Sequence, residues 1–123
     1  MKLYVIRHGE TTWNVERKLQ GASDTELNEN GIALAIKTGK AMKEIPFDLC
    51  FTSPLKRARH TAQLVLGDRK EVPVIEDVRL REISFGEWEG KDSRLLPAEM
   101  LDNFFIIPKH ISSQKCGIIR IHL

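Results

Sequence analysis

Apolar and polar positions alternate along the chain in a way that predicts short strands followed by helices. Residues 2–6 form an apolar run rich in β-branched and aromatic side chains, which is typical of a short buried strand. Residues 48–52 and 72–75 are shorter runs of the same kind. Residues 29–44 and 54–66 repeat apolar side chains at helical spacing. Because strands and helices alternate, the pattern predicts an α/β fold.

Residues of the helix-capping type precede the predicted helices. They are Thr11 or Thr12, Asn28 and Ser53. After Ser53, Pro54 would occupy the first helical position. Gly39 lies inside the second helix, where it costs stability, and close packing of that helix on a sheet would explain it.

The remaining segments carry weaker patterns. Residues 17–27 are polar and predict a loop, in which Gly21 lets the backbone approach a ligand closely. Residues 93–105 predict a further helix. The tail, residues 106–123, shows no clean helical period.

Composition narrows the class of protein. A chain of 123 residues, 41% apolar and 29% charged, is typical of one soluble globular domain. Its net charge of +2 gives no reason to expect nucleic acid or an anionic membrane as a partner. Cys50 and Cys116 lack metal-ligand spacing, and Cys50 is expected to be a buried thiol. Neither a leader nor a membrane-length apolar run is seen, so a cytoplasmic location is the default expectation.

Candidate chemistry begins at Arg7 and His8, which follow the first strand directly. Ligands bind at the carboxyl edge of open α/β sheets, and a nearby helix start would add N–H groups. A guanidinium and an imidazole held there suit a phosphate, which the imidazole can attack. The alternative is a histidine that only forms hydrogen bonds within a turn.

A second group of cations lies at the start of the predicted helix 54–66. Lys56, Arg57 and Arg59 crowd an end where the helix dipole disfavours positive charge. They form either a solvated basic face or the surroundings of a bound anion, and we favour the anion for Arg57. Because Ser53 follows a strand, this end is expected at the same sheet edge as His8.

Residues 78–90 mix cations, carboxylates and aromatic side chains. One carboxyl group there, with its pKa raised by an apolar neighbour, could donate a proton. The spacing does not choose among Glu82, Glu87 and Glu89. The alternative is a set of surface ion pairs.

Several motifs occur in a fixed order along the chain. They are Arg7-His8-Gly9, Leu19-Gln20-Gly21, Asp24 with Leu27 and Gly31, Ser53-Pro54-Leu55-Lys56-Arg57-Ala58 with Thr61-Ala62, Leu80-Arg81-Glu82 with Phe85-Gly86, and Trp88-Glu89-Gly90. Together they resemble the histidine phosphatase superfamily, which contains the phosphoglycerate mutases. The resemblance covers roughly residues 1–105 and implies a phosphoglycerate mutase-like three-layer α/β/α sandwich, incomplete at its C-terminal end.

The resemblance also implies roles for individual residues. His8 would be the nucleophile and would form a phosphohistidine. Arg7 and Arg57 would clamp the phosphoryl oxygens, and Glu82 would donate a proton to the leaving group. The pocket would be completed by Asn14, Gln20 and Gly21. The substrate would be a small phosphorylated metabolite, and neither a metal nor another cofactor is expected.

One feature of the family is missing from this sequence. The family carries a second histidine late in the chain, in a His-Gly turn after a strand. His60, His110 and His122 do not fit that pattern, although His122 follows an apolar run. We therefore predict a family core at residues 1–105 and an atypical tail at 106–123, the product of truncation or a changed reading frame.

Three functions fit these observations. The first is a phosphomonoester hydrolase, which the short loop after Leu19-Gln20-Gly21 favours. The second is a cofactor-dependent phosphoglycerate mutase, an isomerase that would need a bisphosphoglycerate primer. The third is a non-catalytic domain that binds phosphate, or that pairs with another chain through an exposed sheet edge. A homodimer is the default expectation for an α/β enzyme.

Overall fold

The computed structural model describes residues 1–98 and the backbone of residues 118–121. Its strands are β1 (Lys2–Val5), β2 (Leu49–Thr52), β3 (Val74–Glu76) and β4 (Ile118–Ile121). Its α-helices are α1 (Thr12–Val15), α2 (Glu29–Ala41) and α3 (Lys56–Leu66). Single 3₁₀ turns span Val78–Leu80, Gly86–Trp88 and Ser93–Leu95. The predicted α/β class is confirmed.

The described strands form one sheet in the order β1-β4-β2-β3. β4 pairs antiparallel with both β1 and β2, and β2 pairs parallel with β3. It follows that β1, β2 and β3 run in the same direction. Their carboxyl ends therefore meet at one edge, which places His8 and Ser53 at that edge as expected.

A layer of helices covers one face of the sheet. α3 packs on β2, and α2 packs on α3. The core between them contains buried side chains from β2, α3 and the connecting loops, with Tyr4 and Ile6 packed against it. The buried members are Phe47, Cys50, Ala62, Val65, Leu66 and Val72. Cys50 is the predicted buried thiol, and burial raises its pKa to about 11.

The helix starts follow the capping signals at two of three positions. Thr11 caps α1 in a reciprocal capping box with Asn14, and Asn28 caps α2 by accepting from the Gly31 amide at 2.8 Å. α2 ends at Ala41, three residues before the predicted end at 44.

The expected reason for a glycine at position 39 was wrong. A Cβ there would lie 2.7 Å from the Val65 carbonyl oxygen, so the glycine permits close packing on α3 rather than on the sheet.

The predicted start of α3 was also wrong. The helix begins at Lys56, and Leu55 occupies the cap position without a side-chain cap. The Ser53 hydroxyl instead accepts a hydrogen bond from the Leu55 amide at 3.3 Å. The Lys56 amide donates to Oδ1 of Asp24 at 2.7 Å, so a carboxylate 32 residues away caps this helix.

Residues 17–27 form the predicted loop, and β3 begins two residues later than predicted. The predicted helix 93–105 is wrong at its start, where Ser93–Leu95 form a 3₁₀ turn, and its end lies outside the described residues. His110, Cys116 and His122 lie outside the described residues too. Within the described part, no helix has the length and apolarity needed to cross a bilayer.

Candidate active site

His8 lies in the turn after β1, and backbone contacts hold that turn. The Gly9 amide donates to Oγ1 of the buried Thr61 on α3 at 2.9 Å. A Cβ on Gly9 would lie 2.7 Å from the Gly31 carbonyl oxygen, and a Cβ on Gly31 would lie 2.2 Å from that of Glu10. The turn is therefore pressed against the start of α2, at a distance that only glycine allows.

The hydrogen bond of the His8 ring defines its tautomer. Nδ1 lies 2.7 Å from the Gly9 carbonyl oxygen, which can only accept. Nδ1 therefore carries the ring proton, and Nε2 of the neutral ring keeps its lone pair. Burial lowers the pKa of His8, the bond to Gly9 raises it, and the charges of Arg57 and Arg7 lower it; together they bring it to about 4. The ring is neutral at pH 7, which is the form that can attack phosphorus.

The two predicted arginines have different surroundings. Arg7 is exposed next to His8 at the sheet edge, whereas Arg57 is 3% exposed. Arg57 donates through Nη2 to the Gly21 carbonyl oxygen at 2.8 Å and through Nη1 to that of Ser23 at 2.6 Å. Since its charge also lowers the pKa of His8, Arg57 links the histidine to residues 20–25, hereafter the glycine loop.

The other cations of α3 pair with carboxylates of the chain. Lys56 Nζ lies 3.5 Å from Glu26, and Arg59 Nη1 lies 3.2 Å from Glu76. These pairs are exposed, as expected of a solvated basic face. The carboxylate of Asp24, which accepts from the Lys56 amide, also lies at this helix end. A bound anion beside Arg57 remains a prediction.

Thr11 connects α1 to the glycine loop. Its fully buried hydroxyl donates to Oε1 of Gln20 at 2.7 Å and lies 3.1 Å from Oδ1 of Asn14. Gln20 also accepts from the Thr25 hydroxyl. The Asn14 amide at the start of α1, where N–H groups for a ligand were expected, donates to Thr11. The capping signal predicted the position of Thr11 but not its contact with Gln20.

A cleft of about 320 Å³ opens beside the turn between β1, α2 and α3. Its walls include Arg7, His8 and Asn14 among the predicted site residues, together with the apolar Leu34 and Val65. Arg57 instead contacts the glycine loop, which contains Gln20 and Gly21. The cleft thus holds a neutral imidazole and the guanidinium of Arg7, a combination suited to a phosphoryl group, and the guanidinium of Arg57 lies at the glycine loop.

The three candidate carboxylates are distinguished by their contacts. Glu87 is exposed, and Glu82 is partly buried with Oε1 accepting from the Ile83 amide at 3.0 Å. Burial disfavours the charged form of Glu89, but hydrogen bonds from Ser23 and other donors outweigh this and lower its pKa. A carboxylate held in its charged form does not suit a proton donor. The assignment of that role to Glu82 remains a prediction.

Among residues 1–98, no group of three or more His, Cys, Asp or Glu side chains is arranged to hold a metal ion. The expectation of a metal-independent site remains a prediction.

The sequence and the fold define the class of protein. Residues 3–110 match the histidine phosphatase superfamily (branch 1), and the chain belongs to that family. It is 40% identical over 104 residues to the adenosylcobalamin/alpha-ribazole phosphatase of Escherichia coli, covering 85% of this chain and 51% of the relative. It is 42% identical over 90 residues to 2,3-bisphosphoglycerate-dependent phosphoglycerate mutase 2 of Gloeobacter violaceus, covering 72% of this chain and 41% of the relative.

The solved structure of Bacillus stearothermophilus YhfR has the same fold, with a TM-score of 0.74 and 37% identity. The match covers 90% of this chain and 57% of YhfR. The chain thus spans about half the length of the curated relatives it matches. Its relatives include both phosphatases and mutases, and the described sheet and helices correspond to a phosphoglycerate mutase-like α/β fold.

Proposed function

We propose that the chain carries the reaction centre of a phosphomonoester hydrolase that works through a phosphohistidine. The observation that carries the proposal is the tautomer of His8. Its Nδ1–H donates to Gly9, so the neutral ring carries its lone pair on Nε2, the atom that attacks phosphorus. The family and the similarity to phosphatases support this chemistry.

The reaction has two steps. In the first, Nε2 of His8 forms a bond to phosphorus, the bond from phosphorus to the substrate oxygen breaks, and Glu82 donates a proton to that oxygen. In the second, Glu82 takes a proton from water, whose oxygen bonds to phosphorus while the bond to nitrogen breaks. Arg7 and Arg57 offset the charge on the phosphoryl oxygens, and Asn14, Gln20 and Gly21 shape the pocket.

The proposed substrate is a small phosphorylated metabolite. A cleft of about 320 Å³ is of a size to take such a molecule. A mutase is the second candidate, because a mutase and a phosphatase match this chain at almost the same identity. Turnover of phosphoglycerate that depends on a bisphosphoglycerate primer would favour the mutase. The homodimer and the cytoplasmic location remain predictions.

The test is hydrolysis of para-nitrophenyl phosphate by the 123-residue chain. We expect His8→Ala to lower the rate by about a thousandfold or more, because the nucleophile is lost. The control is His60→Ala, a histidine on α3 that the proposal does not use, and it should retain activity. Alkaline quenching during turnover should trap a phosphoryl group that is stable in base and labile in acid, on the wild type and on His60→Ala.

Two results would contradict the proposal. One is a His8→Ala variant that hydrolyses the substrate as fast as the wild type. The other is a folded wild type that is stabilised by phosphate but shows no turnover, which would support the non-catalytic alternative.

A further inference from the structure

The Glu89 carboxylate joins two segments that the proposed reaction needs. From the glycine loop it accepts hydrogen bonds from the Ala22 amide at 3.0 Å and from the Ser23 hydroxyl. From residues 82–85, hereafter the acid segment, it accepts from the Ser84 hydroxyl at 3.1 Å and the Phe85 amide at 3.0 Å. Three of these donors, the Ala22 and Phe85 amides and the Ser84 hydroxyl, meet Oε1, and the Ser23 hydroxyl meets Oε2.

The two segments also touch directly at Gly21. This residue has φ +51°, and a Cβ on it would lie 2.6 Å from Oε1 of Glu89 and 2.9 Å from the Ile83 carbonyl oxygen. Ile83 follows Glu82 in the chain. The proposed proton donor is therefore one residue away from a backbone contact with the glycine loop, and Glu89 lies at the same contact.

We propose that Glu89 is a positioning residue that fixes the acid segment, and with it Glu82, against the glycine loop. The inference rests on the proposed function, which supplies the role of Glu82. Three observations carry it: donors reach Glu89 from both segments, Gly21 lies so close to Glu89 and Ile83 that a Cβ would clash with both, and Arg57 binds the carbonyl oxygen of Gly21. Glu89 itself has no proton to transfer.

The four hydrogen bonds stabilise the charged carboxylate. Burial disfavours that charge, and the donors from Ser23, Phe85, Ala22 and Ser84 more than offset this, so the pKa of Glu89 lies below its ordinary value. In Glu89→Gln the amide oxygen can take the place of Oε1 and keep the bonds to both segments. Glu89→Leu has a similar volume and accepts no hydrogen bond, so both segments lose their shared acceptor.

The test compares two substrates whose leaving groups differ. Para-nitrophenolate departs without a proton, whereas the alkoxide of glycerol 2-phosphate needs one. We expect Glu89→Leu to lower kcat/KM for glycerol 2-phosphate about 10- to 100-fold while changing kcat/KM for the aryl phosphate by less than about threefold, because kcat/KM reports on formation of the phosphohistidine and not on the hydrolysis step that both substrates share. Glu82→Gln should give the same pattern, and the exposed Glu87→Gln should change neither rate. Equal losses on both substrates, or no loss on either, would overturn the inference.

A second measurement does not require turnover. Hydrogen exchange of the Ala22 and Phe85 amides should accelerate together in Glu89→Leu, by about tenfold or more, because both bonds end on Oε1 of Glu89. Ser84→Ala, which removes one bond on the acid-segment side, should accelerate Phe85 alone. Unchanged exchange, or acceleration of only one amide in Glu89→Leu, would overturn the inference. If the wild type hydrolyses neither substrate, the proposed function is refuted. The hydrogen-exchange experiment then still shows whether Glu89 joins the two segments.

Discussion

The turn that carries His8 and the glycine loop are held in place by different kinds of contact. Backbone atoms of Gly9 and Gly31 touch, and the Gly9 amide is bound by Thr61, so uncharged groups fix the turn. The glycine loop is held by charged side chains, of which Arg57 and Glu89 are the clearest. The nucleophile is therefore fixed by steric exclusion, whereas the loop proposed to hold the phosphate depends on charge.

This difference predicts unequal sensitivity to substitution and to pH. A steric contact between backbones cannot relax without moving an element, so adding one methyl group there is costly. A contact made by a charged side chain weakens when the charge is removed, and the backbone around it can stay in place. The glycine loop should therefore respond to changes of charge that leave the turn intact.

Gly31→Ala tests the steric side and should have the largest effect. Its Cβ would lie 2.2 Å from the Glu10 carbonyl oxygen and 2.7 Å from the Glu10 nitrogen. We expect the free energy of unfolding to fall by about 3 kcal/mol or more, even though alanine favours helix. Urea denaturation followed by circular dichroism measures the loss.

The matched control is Gly67→Ala. Gly67 has φ +56° and nothing within 4 Å of its Cβ position, so this change costs backbone strain without crowding. A loss of about 1 kcal/mol is expected there. If the two variants lose the same amount, crowding at the His8 turn is not what fixes it.

The sequence predicts the parts of the site that depend on neighbouring residues. The first strand, the Asn28 cap and the placement of His8 at the sheet edge all follow from patterns a few residues long. The cap of α3 does not follow from such a local pattern, because Asp24 and Lys56 are 32 residues apart in the chain. The local signal at Ser53 was misleading for the same reason.

The spacing of residues in the sequence also fails to predict the contacts of Glu89. Three glutamates within eight residues are equivalent in the sequence, and only their contacts distinguish them. Glu89 meets donors from residues more than 60 positions away, in Ala22 and Ser23. The family resemblance names Glu82 but carries no information about which neighbour holds it in position.

The pKa values of His8 and Glu89 predict that these two residues affect stability in different pH ranges. Its pKa is about 4 in the folded protein and about 6.5 in an unfolded chain. The unfolded state therefore takes up the proton first, so stability from the neutral ring is complete above pH 6.5 and is lost as pH falls towards 4. The pKa of Glu89 is also lowered, from 4.5, so stability from its charge is lost only below pH 4.5.

Between pH 6.5 and 4.5 the free energy of unfolding should therefore fall through protonation of His8 in the unfolded chain, while the bonds of Glu89 persist. Nuclear magnetic resonance should show a titration midpoint near 4 for the His8 ring protons, and added phosphate should raise it because an anion favours imidazolium. In His8→Gln, stability should fall less steeply over this range. A midpoint near 6.5 in the free protein would show that burial does not keep the ring neutral.

Asp24→Ala tests the charged side through the cap that ties the glycine loop to α3, and its effect should be the smallest. The carboxylate accepts from the Lys56 amide at 2.7 Å, and loss of a side-chain cap costs about 1 kcal/mol. Asp24→Asn keeps an acceptor without the charge and should cost less. Glu26→Gln, which removes only the exposed pair with Lys56 at 3.5 Å, should be nearly neutral. Urea denaturation measures the loss of stability in the three variants. If Glu26→Gln loses as much stability as Asp24→Ala, the negative charge at this helix end, rather than the specific cap, holds the loop.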